Sequence, residues 1–350
     1  MLFPELDTPC VVIDDDIVER NLVRFQDYCD KHGIRLRPHI KTHKLPEMAR
    51  RQLALGASGI TCQKIGEAEV FADAGCEDIL LTFNILGPQK LERLRVLAQR
   101  VALCVVSDNE IVARALSEAF SERPVDVLVE CDTGAGRCGV QTPDAAAALA
   151  VLLDALPGTR FRGLMTYPKQ FAESDVNDWL VRARDACRAQ GLEVDAISNG
   201  GTPSMWHAHR VPVATEHRSG TYIYNDRSLV NKASCTEADC ALAVLTTVVS
   251  RPTADRVIVD AGSKSLTSDL FGLEGYGLVQ EYHEARVYNL SEEHGCIDMR
   301  GCDRRPEIGD RLRIIPNHVC PVTNLFDEVH IHRQGVVADT LTVTARGKVA

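Results

Sequence analysis

Residues 35–84 read RLRPHIKTHKLPEMARRQLALGASGITCQKIGEAEVFADAGCEDILLTFN, and this stretch decides the fold. Strand candidates at 35–39, 59–62 and 78–82 are separated by LPEMARRQLALG and GEAEVFADAG. Apolar residues in the two separators recur at three- and four-residue spacing, the period of an amphipathic helix. Gly56 and Gly75 stand where those helices should stop. Working outward, further strands are expected at 101–106, 125–130, 161–165, 194–198 and 213–216, with PQKLERLRVLAQR and DNEIVARALSEAF among the intervening helices. Pro88 opens one of these helices, and Asp108 is expected to cap another. Eight strands with crossover helices predict a (β/α)8 barrel of the TIM type.

After residue 235 the texture changes. ALAVLTTVVS, DRVIVDAG, ARVYNLS, RLRIIP, EVHIHR and GVVADTLTVTARG are β-branched runs broken by Gly, Pro and Asn, and little helical periodicity remains. The expected division is a barrel over 11–235 and a mostly antiparallel β domain over 236–350 that also takes in 1–10.

Composition excludes several functions. The 350 residues carry 39 Lys+Arg against 49 Asp+Glu, a formal charge of −10. An acidic chain without basic runs argues against nucleic acid or an anionic membrane as partner. No stretch approaches the apolar length of a membrane span, and MLFPELDTPC lacks the basic and apolar regions of a signal peptide. A cytoplasmic location is expected. The thirteen cysteines contain no CxxC pair. Most are expected to be small buried hydrophobes rather than a disulfide framework or a zinc module.

In such barrels the chemistry collects on the loops that follow the strands. Those loops carry His39, Lys41 and His43; Gln63 and Lys64; Asn84; Asp108; Asp132 to Arg137; Tyr167 and Lys169; Asn199 to Thr202; and His217 to Gly220. This gathering of acid–base and anion-binding residue types points to an enzyme. The glycine pair in NGGTPS (199–204) lets backbone amides approach an anion at a helix start, although the same residues suit a plain βα turn. A second glycine turn, RSGTYIYND (218–226), follows the neighbouring strand. Two such turns after strands seven and eight match the usual phosphate position of the fold.

A lysine that forms a Schiff base must be partly desolvated inside the barrel mouth. Lys41 is favoured by position, Lys64 is the second candidate, and Lys44 is read as solvated at the start of a helix. In PNHVCP (316–321), His318 and Cys320 stand at i and i+2 of a segment read as extended, where they would share one side. Imidazole and thiolate suit zinc. A buried thiol beside a loop histidine is the alternative. His330 and His332 repeat the spacing, but their alternation with Val329 and Ile331 reads as a solvated strand face.

Taken together, LDTPCVVID, RPHIKTHK, DTGAGRCGV, NGGTPS, HRSGTYIYND, DAGSK, SEEHG and PNHVCP resemble the D-threonine aldolase and D-serine dehydratase family, within the alanine-racemase-like class of pyridoxal-phosphate (PLP) enzymes. The resemblance covers almost the whole chain. It implies a PLP-bearing barrel with a β domain, and a homodimer. By resemblance, Lys41 is the Schiff-base lysine and Arg137 contacts the phenolic oxygen of the cofactor. Tyr167 lies against its ring. Gly200, Gly201, Thr202, Gly220, Thr221 and Tyr222 cradle its phosphate. His318 and Cys320 hold a divalent metal, Zn2+ or Mn2+, and His318 is counted with Lys41 as catalytic.

Two departures bear on the substrate. Pro168-Lys169-Gln170 follows Tyr167 where many relatives carry Gly-His. The His-x-Cys pair is that of D-serine dehydratases, whereas D-threonine aldolases typically carry His-x-Asp; the motif set as a whole looks more aldolase-like. The resemblance thus implies a lyase acting on a small D-β-hydroxy-α-amino acid, with retro-aldol cleavage to glycine and an aldehyde favoured. Dehydration in the manner of a D-serine or D-threo-3-hydroxyaspartate dehydratase is the alternative. A racemase and a non-catalytic PLP-binding protein are weaker readings.

Overall fold

A computed structural model describes residues 2–350. Strand β1 (Cys10–Asp14) belongs to the β sheet described below. The next eight, β2 (Arg35–Leu36), β3 (Ile60–Cys62), β4 (Asp78–Leu81), β5 (Ala102–Ser107), β6 (Val125–Cys131), β7 (Thr159–Thr166), β8 (Ala196–Asn199) and β9 (Glu216–His217), form one parallel sheet. Their order is β2-β9-β8-β7-β6-β5-β4-β3. A parallel bridge between His39 and Thr61 joins the two ends of that order and closes the (β/α)8 barrel. Leu80, Val106, Leu128 and Met165, one from each of four adjacent strands, pack as a single buried cluster.

Local chemistry accounts for the helices. Pro88 and Pro143 stand at helix starts, where a missing N–H costs nothing. The cap of helix Glu110–Ala119 is Asn109, one residue after the expected Asp108; its side chain accepts from Val112 N at 2.9 Å. Asp108 instead accepts from Gly139 N at 2.9 Å and so tethers the loop after β6. The last crossover is a 3-10 segment, Thr202–Arg210.

The second sheet contains β1, β10 (Leu242–Ser250), β11 (Arg256–Val259), β12 (Gly277–Val279), β13 (Arg286–Leu290), β14 (Gly295–Asp298), β15 (Arg311–Pro316), β16 (Glu328–Arg333) and β17 (Val336–Thr342). Every pairing in it is antiparallel except β1 with β16. Phe3, Cys10, Val12, Ala243 and Leu245 form part of its core.

The compact units do not follow the expected bounds. One comprises Phe25–Lys41, Pro46–Gly220 and Lys348–Ala350; the other takes the chain through Arg24, Thr42–Leu45 and Thr221–Gly347. Residues 11–24 and 221–235 therefore group with the β unit rather than the barrel. The cause is pairing: Cys10 to Ile13 run against Leu245 to Leu242, and Ser228 N donates to Asn317 O at 3.1 Å. Met1, included in the expected β domain, lies outside the described residues.

All thirteen cysteines are free thiols, and Cys10, Cys29, Cys62, Cys76, Cys131, Cys187, Cys240 and Cys302 are buried. Among the described residues, no helix is long and apolar enough to cross a membrane.

Candidate active site

In the barrel unit, Lys41 is half-buried in the one-turn segment Ile40–Thr42 that follows β2. Its backbone N–H donates to Nδ1 of His39 at 3.3 Å. The rival Lys64 has its Nζ 3.7 Å from the centroid of the Phe83 ring, a cation–π contact. The Arg137 guanidinium stacks over the Tyr167 ring at 4.7 Å and lies 4.0 Å from Glu130 Oε1. Burial raises the pKa of Glu130, and the positive charge of Arg137 opposes that rise.

The NGG turn needs its glycines. Gly200 has φ +117°, and a Cβ there would lie 2.4 Å from Cε1 of His217; a Cβ on Gly201 would lie 3.0 Å from Cε2 of Tyr167. Thr202 Oγ1 accepts from Gly220 N at 3.2 Å, so the two glycine turns are tied to each other. Arg137, Tyr167 and Gly201 thus share one surface, with Thr202 and Gly220 linked in the neighbouring turns. An amine, a guanidinium, an aromatic face and turns without Cβ are the groups that a phosphorylated aromatic aldehyde requires. The donor set fits PLP.

Three acidic or sulfur groups of this unit, Asp108, Glu130 and Cys138, have ligand atoms within 4.8 Å of one another. Arg137 already supplies a cation beside Glu130.

In the β unit, Thr221 and Tyr222 open the turn Thr221–Ile223. Tyr222 is 1% exposed, so its ring is core and only its backbone could serve a ligand. Lys44 is not solvated as expected. It is buried, precedes rather than begins helix Pro46–Ala54, and donates from Nζ to Ala345 O at 3.1 Å.

The segment carrying His318 and Cys320 is not extended throughout. His318 retains extended geometry, but a short helix begins at Val319 and contains Cys320. The two side chains nevertheless hydrogen-bond to each other. Thr42 Oγ1 lies 3.1 Å and Thr221 Oγ1 3.7 Å from Cys320 Sγ.

Asp226, which the sequence reading did not single out, is fully buried and meets His318 Nδ1 at 2.9 Å through Oδ2. The same oxygen accepts from Val319 N at 3.2 Å, while Oδ1 accepts from Ser228 Oγ at 2.7 Å and from Leu229 N at 3.1 Å. Its position before Arg-Ser, at a helix start, was the available signal. Burial would lower the His318 pKa, but the Cys320 sulfur and the Asp226 carboxylate more than offset this and push it up to about 10. An imidazole and a thiol side by side, with a carboxylate on the far ring nitrogen, are a donor set that fits a divalent ion.

His330 and His332 are not solvated either. The His330 side chain is only 11% exposed and bonds Thr340 Oγ1 at 3.0 Å, and His332 is buried with its ring 4.9 Å from that of Phe3.

Comparison with known proteins agrees over the whole chain. Residues 13–228 match the family "Alanine racemase, N-terminal domain", and residues 241–332 match "Putative serine dehydratase domain". A D-threonine aldolase from Arthrobacter sp is 37% identical, over 98% of this chain and 93% of its own length. The crystal structure of D-threonine aldolase from Filomicrobium marinum superimposes with a TM-score of 0.93 at 34% identity, covering 100% of this chain and 99% of that one. A D-threo-3-hydroxyaspartate dehydratase, solved as a cysteine-to-alanine mutant in the metal-free form, gives 0.87 at 31% identity, covering 98% of both chains.

Proposed function

Because the chain belongs to the D-threonine aldolase and D-serine dehydratase family of alanine-racemase-like lyases, we propose that it cleaves a D-β-hydroxy-α-amino acid between Cα and Cβ, releasing glycine and an aldehyde. It is a lyase, and its family is PLP-dependent. The observation that carries the retro-aldol reading is the 37% identity to a D-threonine aldolase over 98% of this chain.

In this reading Lys41 would hold the cofactor through its aldehyde carbon and give up that place to the substrate amine. Arg137 holds the phenolic oxygen, and Tyr167 supports the ring. The backbone N–H groups of Gly200, Gly201, Thr202, Gly220, Thr221 and Tyr222 take the phosphate. PLP, when bound, supplies an electron sink for charge that develops at Cα. His318 and Cys320 would hold a divalent cation, Zn2+ or Mn2+, whose charge lowers the pKa of the β-hydroxyl. Asp226, bonded to Nδ1 of His318, would leave Nε2 for the ion. His318 would act through that ion, whose charge would favour loss of the hydroxyl proton and so cleavage of the Cα–Cβ bond. The protein works as a homodimer in the cytoplasm.

A second reading has a specific observation behind it. A solved dehydratase relative is a cysteine-to-alanine mutant in the metal-free form, and this chain carries a cysteine in its own candidate pair. In that route Lys41 would remove the α-proton, the cation held by His318 and Cys320 would favour departure of the β-hydroxyl as water, and hydrolysis of the resulting enamine would give a keto acid and ammonia.

The experiment is incubation of purified protein, PLP and either Zn2+ or Mn2+ with D-threonine, D-serine and D-threo-3-hydroxyaspartate, followed by product analysis. Glycine with an aldehyde supports the aldolase; keto acid with ammonia overturns it in favour of dehydration.

A further inference from the structure

A chain of hydrogen bonds across the ends of three neighbouring barrel strands terminates on the backbone of Lys41. It begins at Thr82, just after β4, whose carbonyl oxygen accepts from Gln63 Nε2 at 2.8 Å. That bond sets the orientation of the Gln63 amide and turns its carbonyl oxygen, Oε1, towards Nε2 of His39 at 3.1 Å. An amide oxygen only accepts, so Nε2 of His39 must carry the proton. In the neutral ring Nδ1 is then bare, and it accepts the Lys41 N–H at 3.3 Å. The backbone of His39 is held as well: its N–H donates to Ser219 O at 2.9 Å, and the residue bridges Thr61. His39 is 8% exposed, so water competes poorly for these positions.

We propose that Gln63 and His39 are positioning residues that select one imidazole tautomer and thereby fix the main chain from which the Lys41 amine projects. The proposal rests on the reading of Lys41 as the cofactor lysine. The physical content is directional. The opposite tautomer would point Nδ1–H at the Lys41 N–H and leave Nε2 as a second acceptor facing the Gln63 oxygen. Both bonds would be lost together. With the ring locked, the one-turn segment Ile40–Thr42 has a fixed entry, and the lysine's flexible stem starts from one place. A base for the reaction is not implied, because both ring nitrogens are already engaged.

The test uses PLP-loaded protein and three variants. His39→Leu removes both ring nitrogens. His39→Asn keeps an acceptor where Nδ1 stands, and Gln63→Met frees the tautomer while leaving the ring. Hydrogen–deuterium exchange at the Lys41 amide is the primary readout. Loss of one hydrogen bond of ordinary net strength corresponds to roughly 5- to 10-fold faster exchange, expected in His39→Leu and Gln63→Met and largely reversed in His39→Asn. Nitrogen-15 spectra of the wild-type ring should show Nε2 protonated and Nδ1 bare. The rate at which borohydride traps PLP on Lys41 should fall in step with the exchange change.

Wild-type exchange in both His39→Leu and Gln63→Met, or a ring protonated on Nδ1, overturns the proposal. Should His39→Leu fail to fold, Gln63→Met and the wild-type spectrum still decide it. Trapping on a lysine other than Lys41 would instead overturn the cofactor-lysine reading while leaving the exchange result intact.

Discussion

Oδ2 of Asp226 lies 2.9 Å from Nδ1 of His318, and the same carboxylate also receives the N–H of Val319, the N–H of Leu229 and the hydroxyl of Ser228. A carboxylate with this many donors cannot turn away, so it dictates which nitrogen of His318 is protonated. In the proposed metal site this leaves Nε2 for the ion. Asp226→Ala should weaken divalent-metal binding by about 10- to 100-fold, the usual cost of losing such an orienting group. Equilibrium dialysis against Zn2+ or Mn2+ measures it. Wild-type affinity in the variant would remove Asp226 from the metal assignment.

Cys320 makes a separate prediction about metal choice. A thiolate favours Zn2+ over Mn2+, whereas a carboxylate suits the harder ion. Cys320→Asp should therefore retain a divalent site and shift preference towards Mn2+, read as a change in the Zn2+/Mn2+ affinity ratio. His318→Ala and Cys320→Ala should both lose metal and turnover while keeping the visible PLP band. Full activity in either alanine variant would exclude the pair as ligands.

The barrel was legible in the sequence because its strands and helices carry two distinct hydrophobic periods, and because proline and glycine mark the helix ends. The cap at Asn109 was misplaced by one residue because Asp108 and Asn109 are both good caps, and only the tether from Asp108 to Gly139 decides between them. Lys44 was misread for a different reason. Nothing local indicates that Ala345, some 300 positions away, will supply a carbonyl to its ammonium. Asp226 was passed over likewise, and Gln63 was named without its partner, since their contacts with His318 and His39 are set by tertiary structure.

At the N-terminal ends of the strands, Arg37 joins Glu216 at 3.0 Å and Asp78 at 2.6 Å, with its own side chain 11% exposed and that of Glu216 4% exposed. Burial would lower the Arg37 pKa, but Glu216 and Asp78 hold it raised; Glu216 is held low against its own burial by Arg37 and Ser198. Arg37→Ala leaves the buried Glu216 carboxylate without the cation that hydrogen-bonds it, Arg218 being the charge that remains, and should cost about 3–5 kcal/mol of stability. Because the ion pair's net worth is small beside that penalty, adding Glu216→Gln to Arg37→Ala should recover part of the loss. Urea unfolding checks both, and a double variant less stable than the single one would contradict the argument.

His217 should contribute to the acid sensitivity of the barrel unit. Its ring is buried behind Gly200, and burial first, then the neighbouring Arg218, push its pKa down to about 3, with only partial relief from the Gly201 backbone. The unfolded chain titrates this residue near 6.5, so between those values the unfolded state binds the extra proton and the folded state does not. Stability therefore falls as pH drops from about 6.5 towards 3, by at most about 1.4 kcal/mol per pH unit from this group. Above about 6.5 the ring is neutral in both states and contributes no slope. Thermal unfolding between pH 7.5 and 4 should show this acid limb in the wild type. His217→Gln cannot take up the proton and should show a shallower limb, whatever its stability at pH 7.5. Equal slopes in the two proteins would assign the acid sensitivity to other groups.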